Sequence, residues 1–338
     1  MEIFSNFRDD YMDIVLKRVE YLKKLDFKFI EYEAWKKRKL RRPQKTLEQE
    51  ESCGVNIFLE SNKDKEKMLY EEYSKDIAHH YFNLSYKIPE KRPRKIYKCS
   101  NFLCPEKLRD GLNQLEEKII RGDDLLPNLS REIFDSTYRD YMLYDLGIVH
   151  FHLGTKPLKE NPLLIKSTNE LVYAFIVNDS CYFIRIDHHN NWGDINLLST
   201  LKRDFPQVLN RWKIPGEPVS KLSNKDRKEL IKNGINTWLE IDGEYYMSPG
   251  MGINTAGTSS LAVLKMTRKF NKFIKLQEDV KQLILKNLKE IEKSMGKNLT
   301  DMHLILQETE PEIIYEPNNN LRISIINGRM EISNCAEI

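Results

Sequence analysis

The sequence predicts an α+β protein: a central antiparallel sheet flanked by helices, a helical N-terminal region and one long C-terminal helix. Three observations carry this. Apolar residues recur at helical spacing near both ends of the chain, strict alternation replaces that spacing in the middle, and turn-forming residues separate the alternating runs.

From the N-terminus, residues 5–24 read as an amphipathic helix, with Phe7, Tyr11, Ile14, Val15, Val19 and Leu22 recurring between charges. Residues 36–45 hold seven basic side chains and precede Glu48, Glu50 and Glu51, the composition of an exposed loop. Residues 54–59 read as a short strand and 63–82 as a helix of mixed charge. Residues 86–98 (YKIPEKRPRKIYK) are basic and contain two prolines, which a regular helix excludes. The domain boundary is placed there: residues 1–98 as a helical, basic N-terminal region, residues 99–338 as the α+β domain.

Pro105 opens a helix through Leu108, Leu112, Leu115 and Ile119 that stops at Gly122, and a shorter helix starts near Ser130. Residues 147–153 (GIVHFHL) alternate. Residues 171–177 and 182–186 form a hairpin around Asn178, Asp179 and Ser180. Residues 194–203 and 223–233 read as helices, and 237–247 as a hairpin turning at Asp242-Gly243. A loop over 248–257 leads into a helix over 258–294, ending at Gly296. The tail carries two or three strands, with Asn327-Gly328 as a hairpin turn.

Composition narrows the function classes. The formal charge of +3 balances 54 basic against 51 acidic residues, so any pull on nucleic acid must be local. Five scattered cysteines without a CxxC pair speak against a disulfide scaffold or a cysteine zinc site and for a reducing compartment. With no basic, apolar leader and no long apolar run, the expectation is a cytoplasmic protein with no membrane partner.

The chemistry is expected in the central strands, which hold four of the seven histidines. His150 and His152 stand two apart and share one face of a strand. The strand over 182–186 delivers Arg185, Asp187, His188 and His189 at its exit. Imidazoles exchange protons near neutrality and a guanidinium stabilises phosphate charge, the equipment of metal-independent RNA cleavage. The expected catalytic set is therefore His150, His152, Arg185, His188 and His189, with no cofactor. Two other readings fit the same residues: half-buried structural histidines, or a three-histidine metal platform. The acid that a cupin places four or five residues after HxH is absent, because Lys156 and Pro157 stand there and Glu160 comes too late.

Residues 169–189 (NELVYAFIVNDSCYFIRIDHH) resemble the central hairpin of RelE/YoeB-type messenger-RNA interferase toxins, in which an L-V-Y strand turns into an apolar strand with a basic, histidine-rich exit. Residues 140–154 are similar to bacterial proteins of unassigned function. The toxin resemblance implies ribonucleolytic activity of toxin or phage-defence type, a possible protein partner or antitoxin, and Arg185, His188 and His189 as site residues.

A second expected feature is a phosphate-binding loop, with Gly250, Gly252 and Gly257 allowing close approach and Thr255 and Thr258 at a helix N-terminus. It is neither a Walker loop nor GxGxxG. The basic runs at 36–45 and 87–98, the latter edged by Tyr86 and Tyr97, could grip phosphates and stack bases, and Trp192 and Trp212 could stack too. No GxSxG elbow occurs, and Asp242 and Glu244 lack the lysine of a PD-(D/E)xK nuclease. The leading expectation is an RNA-acting enzyme. A non-catalytic nucleic-acid-binding or regulatory protein and a histidine-ligated metal enzyme are the alternatives.

Overall fold

A computed structural model describes residues 2–41, 62–189, 193–216, 222–326 and 329–334. In chain order the first elements are β1 (Ile3–Ser5), α1 (Phe7–Lys24), α2 (Tyr32–Arg41), α3 (Asn62–Lys87), β2 (Lys95–Lys98) and α4 (Arg109–Arg121). A π-helical turn, Met142–Leu146, then leads into β3 (Ile148–His152), β4 (Glu170–Val177) and β5 (Ser180–His188). Next come α5 (Asn196–Asp204), α6 (Pro206–Leu209), β6 (Lys213–Ile214), α7 (Asn224–Lys232), β7 (Leu239–Ile241) and β8 (Glu244–Tyr246). The chain ends with α8 (Ser260–Met295), β9 (Met302–Thr309), β10 (Glu312–Glu316), β11 (Leu321–Ile326) and β12 (Arg329–Asn334). The fold class is α+β. The expected strand over 54–59, the acidic run at 48–51 and the Asn327-Gly328 turn lie outside the described residues.

The chain forms two compact units. One comprises Met1–Ala78 with Lys265–Ile338, the other His79–Leu264. The proline-containing segment 86–98 thus falls inside the second unit, where β2 pairs parallel to β5.

In the first unit, Asn6 caps α1, its side chain accepting from the Asp9 amide at 3.3 Å. The stripe Phe7, Tyr11, Val15 and Val19 is buried, with Tyr11 against Phe273 of α8 at 4.4 Å between ring centres. The tail forms a five-stranded sheet ordered β1-β9-β10-β11-β12, larger than the two or three strands expected. The tail contributes four of these strands, β9–β12, and the fifth is β1, too short to show alternation and joined by a parallel β1–β9 pairing that local sequence does not announce.

The second unit is built on a four-stranded sheet, β2-β5-β4-β3, with a small β6-β8-β7 sheet beside it. Expected as antiparallel, the main sheet is mixed, because β2 joins as a parallel edge. One face buries Ile148, Leu171, Tyr173 and Phe175 with Leu197, Leu198 and Leu201 of α5 and Leu239 and Ile241 of β7. Strand residues of the opposite face, Phe151, Val172, Ala174 and Phe183, are buried as well. On α4, Gly111 lies so close to the Leu153 carbonyl that a Cβ there would come within 1.9 Å of it. Burial on both faces fixes register, since a one-residue slip would exchange the faces. The β7–β8 turn has Asp242 at φ 51° and Gly243 at φ 76°, the backbone that makes Asp-Gly a hairpin signal.

One polar contact ties this unit together. Asp145, in the π-helical turn, pairs with Arg227 of α7, and both are only 2% exposed. The Ser248 hydroxyl and the Gly250 amide both donate to the Asp145 carbonyl. Removing one partner of a buried pair strands the other charge, at about 3–5 kcal/mol. Arg227→Met is therefore expected to lower stability by that amount in chemical denaturation. A loss below about 1 kcal/mol would show that the pair does not hold the unit together.

Candidate catalytic site

Register decides which side chains share a face. In the β3–β4 pair His150 stands opposite Tyr173 and His152 opposite Leu171. In the β4–β5 pair Tyr173 stands opposite Arg185, Leu171 opposite Asp187 and Glu170 opposite His188. Directly opposed residues point the same way and successive residues alternate. His150, His152, Arg185 and Asp187 therefore share one face, and His188 projects from the other. A register shift at Tyr173/Ala174, where Ile184 is the extra residue of β5, brings Arg185 into line with Tyr173.

Beyond the end of β5 the chain turns, and His189 folds back over the same face. Its ring lies 5.2 Å from that of His152 and 6.4 Å from that of His150, centre to centre. Three of the four expected imidazoles are thus brought together. The fourth is not: exposed His188 pairs in register with Glu170, and only its carbonyl faces inward, accepting from the Tyr173 hydroxyl at 2.7 Å.

The three rings differ in environment. His152 is 3% exposed, and its Nδ1 accepts from the Thr168 amide at 3.1 Å. Burial, helped by the neighbouring His189 and His150, pushes its pKa down to about 4. It is therefore neutral at pH 7, with its proton on Nε2. His189 is exposed, and its pKa is also lowered, by partial desolvation and then by His150. Both causes act against the charged form of the His189 ring.

Arg185 has a different task from the one expected. Its guanidinium is held by Asp187 at 3.0 Å and Asp194 at 2.5 Å, which commits its charge to pinning the exit of β5 to the start of α5. The basic run at 87–98 is similarly engaged. Lys91 pairs with Asp124 at 2.9 Å, Arg92 with Asp179, and Lys98 with Glu116 at 2.7 Å, while Arg94 is buried. In the other unit, Lys36 and Lys39 of the run at 36–45 pair with Glu66 and Glu72, and residues 42–45 lie outside the described set. Tyr97 stacks on Tyr182 at 5.1 Å and Trp212 meets Phe175 edge-on at 5.6 Å, so both rings have partners within the fold. Trp192 lies outside the described residues.

The loop over 248–257 uses its glycines for packing against its own chain. A Cβ on Gly250 would sit 2.2 Å from the Leu143 and Tyr144 carbonyl oxygens, one on Gly252 would strike Asn236, and one on Gly257 the Arg139 guanidinium. The amides at the start of α8 are taken as well. That of Thr258 donates to Asn254 Oδ1 at 3.3 Å, that of Ser259 to Asn83 Oδ1 at 2.9 Å, and that of Ser260 to the Gly252 carbonyl at 3.0 Å. Thr258 is buried and Thr255 exposed. Of the expected phosphate site at Gly250, Gly252, Thr255, Gly257 and Thr258, the amides of Gly250, Gly252, Gly257 and Thr258 are thus engaged within the fold.

The structure adds a feature that the sequence reading passed over. His150 lines a pocket of about 20 Å³ together with Lys87, Ser130, Tyr138 and Asp140, walled by Leu129, Ile133 and Val149. Lys87 is 4% exposed, and its Nζ donates to the Asp135 carbonyl at 3.0 Å and the Tyr138 carbonyl at 3.2 Å. Burial lowers its pKa to about 8, against the opposing pull of Asp140, Asp135 and Glu132. It remains a cation at neutral pH. Its signal in the sequence was helical spacing: Asn83 and Leu84, four and three residues earlier on α3, are also buried.

Among the described residues no group of three histidine, cysteine, aspartate or glutamate side chains is arranged to hold a metal ion. What the site can do is proton transfer beside a fixed cation.

The buried neutral His152 ties stability to pH. Its folded pKa lies below the unfolded value, so its contribution is complete above about pH 6.5 and is lost as pH falls toward 4. Chemical denaturation across that window is expected to show a loss of up to about 3 kcal/mol that His152→Gln largely removes. An unchanged slope in the variant would contradict the assignment.

Among the described residues no helix is long and apolar enough to cross a membrane. Comparison with protein-family models, curated proteins and solved structures finds no match.

Proposed function

We propose that the chain is a metal-independent ribonuclease whose acid–base pair is His150 and His189. The observation that carries this reading is the position of His150, which lines the Lys87 pocket and whose ring neighbours that of His189. RNA provides its own nucleophile. A neutral imidazole takes the proton of the ribose 2′-hydroxyl, O2′ attacks the adjacent phosphorus, and the bond to O5′ breaks. O5′ leaves with a proton from the second imidazole, and the products are a 2′,3′-cyclic phosphate and a free 5′-hydroxyl.

His150, on the pocket wall, is assigned as base and His189, at the open edge, as acid. The positions of the two rings support this division: His150 lines the pocket, and His189 is exposed, where its ring can exchange a proton with solvent. His152 serves as a positioning residue: held by Thr168, it gives His189 a neutral ring to lie against. Lys87, in place of Arg185, supplies a cation, set beside the reacting 2′-hydroxyl rather than on the phosphate. The resemblance of residues 169–189 to RNA-cleaving interferase toxins supports RNA as substrate, and a role of toxin or phage-defence type belongs to the same reading.

General acid–base groups contribute about 10²–10⁴-fold. His150→Ala and His189→Ala are each expected to slow cleavage of a fluorescent oligoribonucleotide by at least about 100-fold, and His188→Ala to leave it within about threefold. Cleavage is expected to continue in EDTA and to yield cyclic phosphate ends. Undiminished cleavage by the His150→Ala/His189→Ala double variant, or no cleavage by the wild type, would overturn the reading.

A further inference from the structure

The pocket beside His150 has a size and a donor pattern that together specify an occupant. An ammonium carries three N–H donors. Two of those on Lys87 go to the carbonyls of Asp135 and Tyr138, which leaves one for the pocket that the side chain lines. The enclosed volume of about 20 Å³ admits roughly one water-sized group, so a single hydroxyl can enter while the phosphate or base attached to it stays outside. The wall also holds His150, which has an acceptor nitrogen when neutral, and the carboxylate of Asp140. A second anion beside Asp140 would be repelled, whereas a neutral group that both accepts and donates would be satisfied. The group that meets all these conditions is a hydroxyl.

We infer that this pocket is a subsite for the ribose 2′-hydroxyl, in which Lys87 donates its remaining N–H to O2′ and His150 accepts the hydroxyl hydrogen, so that the chain selects RNA over DNA. This deepens the ribonuclease reading and rests on it. The 2′-hydroxyl is what separates RNA from DNA at a given position. A cation donating to O2′ also stabilises the negative charge that grows there as the proton leaves. Asp140 keeps the subsite near neutral overall, so a 2′-deoxy strand gains nothing to compensate for the unmet N–H of Lys87.

The test is binding, read separately from cleavage. Fluorescence anisotropy is measured with the full chain carrying His189→Ala, so that the RNA stays intact. The ligands are one single-stranded sequence as RNA, DNA, 2′-fluoro RNA and 2′-O-methyl RNA. A hydrogen bond to a charged donor corresponds to a preference for RNA over DNA of about 10- to 100-fold. The 2′-fluoro strand, which cannot donate, is expected between the two, and the 2′-O-methyl strand, too large for the pocket, at or below DNA. Adding Lys87→Met is expected to bring RNA down to the DNA level and to leave DNA affinity unchanged. The four-ligand comparison needs no change at Lys87, so it stands even if that variant fails to fold. Equal affinity for RNA and DNA, or an RNA preference that survives Lys87→Met, would overturn the subsite. RNA cleavage by the wild type with equal binding of the two strands would remove the subsite and leave the nuclease. An RNA preference lost with Lys87→Met, together with no strand scission, would do the reverse.

Discussion

The pairing of β3, β4 and β5 in one register determines everything else about the site. Tyr173 lies between His150 on one side and Arg185 on the other, and Leu171 between His152 and Asp187. Because the sheet is buried on both faces, the apolar side chains of β4 hold that register: Leu171 and Tyr173 belong to one layer and Val172 and Ala174 to the other. A slip of one residue would drive both groups to the wrong side and invert the histidines with them. The arrangement of the histidines is thus a consequence of core packing. No separate interaction is needed to gather the rings.

Charge is handled locally throughout the second unit. Arg185 is bracketed by Asp187 and Asp194, Arg227 is sealed against Asp145, and Lys91, Arg92 and Lys98 around β2 pair with acids on neighbouring segments. These pairings leave a site whose working groups are neutral imidazoles and one buried lysine. Burial pushes the pKa of that lysine down to about 8, and two backbone carbonyls and nearby carboxylates offset only part of its desolvation. The same burial keeps His152 neutral, so one physical cause, exclusion of water, sets the protonation state of both. Three imidazoles of unequal burial beside a lysine suit proton transfer better than the symmetric ligation of a metal.

Much of the fold was legible because its signals are local. The stripe of α1, the Gly122 stop of α4, the turn at Asn178 and Asp179, and the Asp242-Gly243 hairpin all rest on residues close in sequence. Alternation likewise put His150 and His152 on one face. What was not legible depended on partners distant in the chain. Nothing near Arg185 revealed that Asp194 would claim it, and His188 and His189, adjacent in sequence, are separated by the strand's alternation and the turn that follows. The glycines of 248–257 suggested a ligand because close approach has the same signature whether the approaching atom is a phosphate or the Tyr144 carbonyl. Lys87 was hidden among five other basic residues in a run, with only its place three residues after Leu84 to mark it as buried.

The account stands on His150 and His189 forming one electrostatic unit from which His188 is excluded. Histidine ring resonances in long-range nitrogen–proton spectra, followed through a pH titration, measure this directly. With His150 replaced by Asn, the midpoint of His189 is expected to rise toward the ordinary value near 6.5, and with His188 replaced by Asn it is expected to stay where it was. A His189 midpoint that ignores His150, or that follows His188 instead, would contradict the shared face and the acid–base pair built on it.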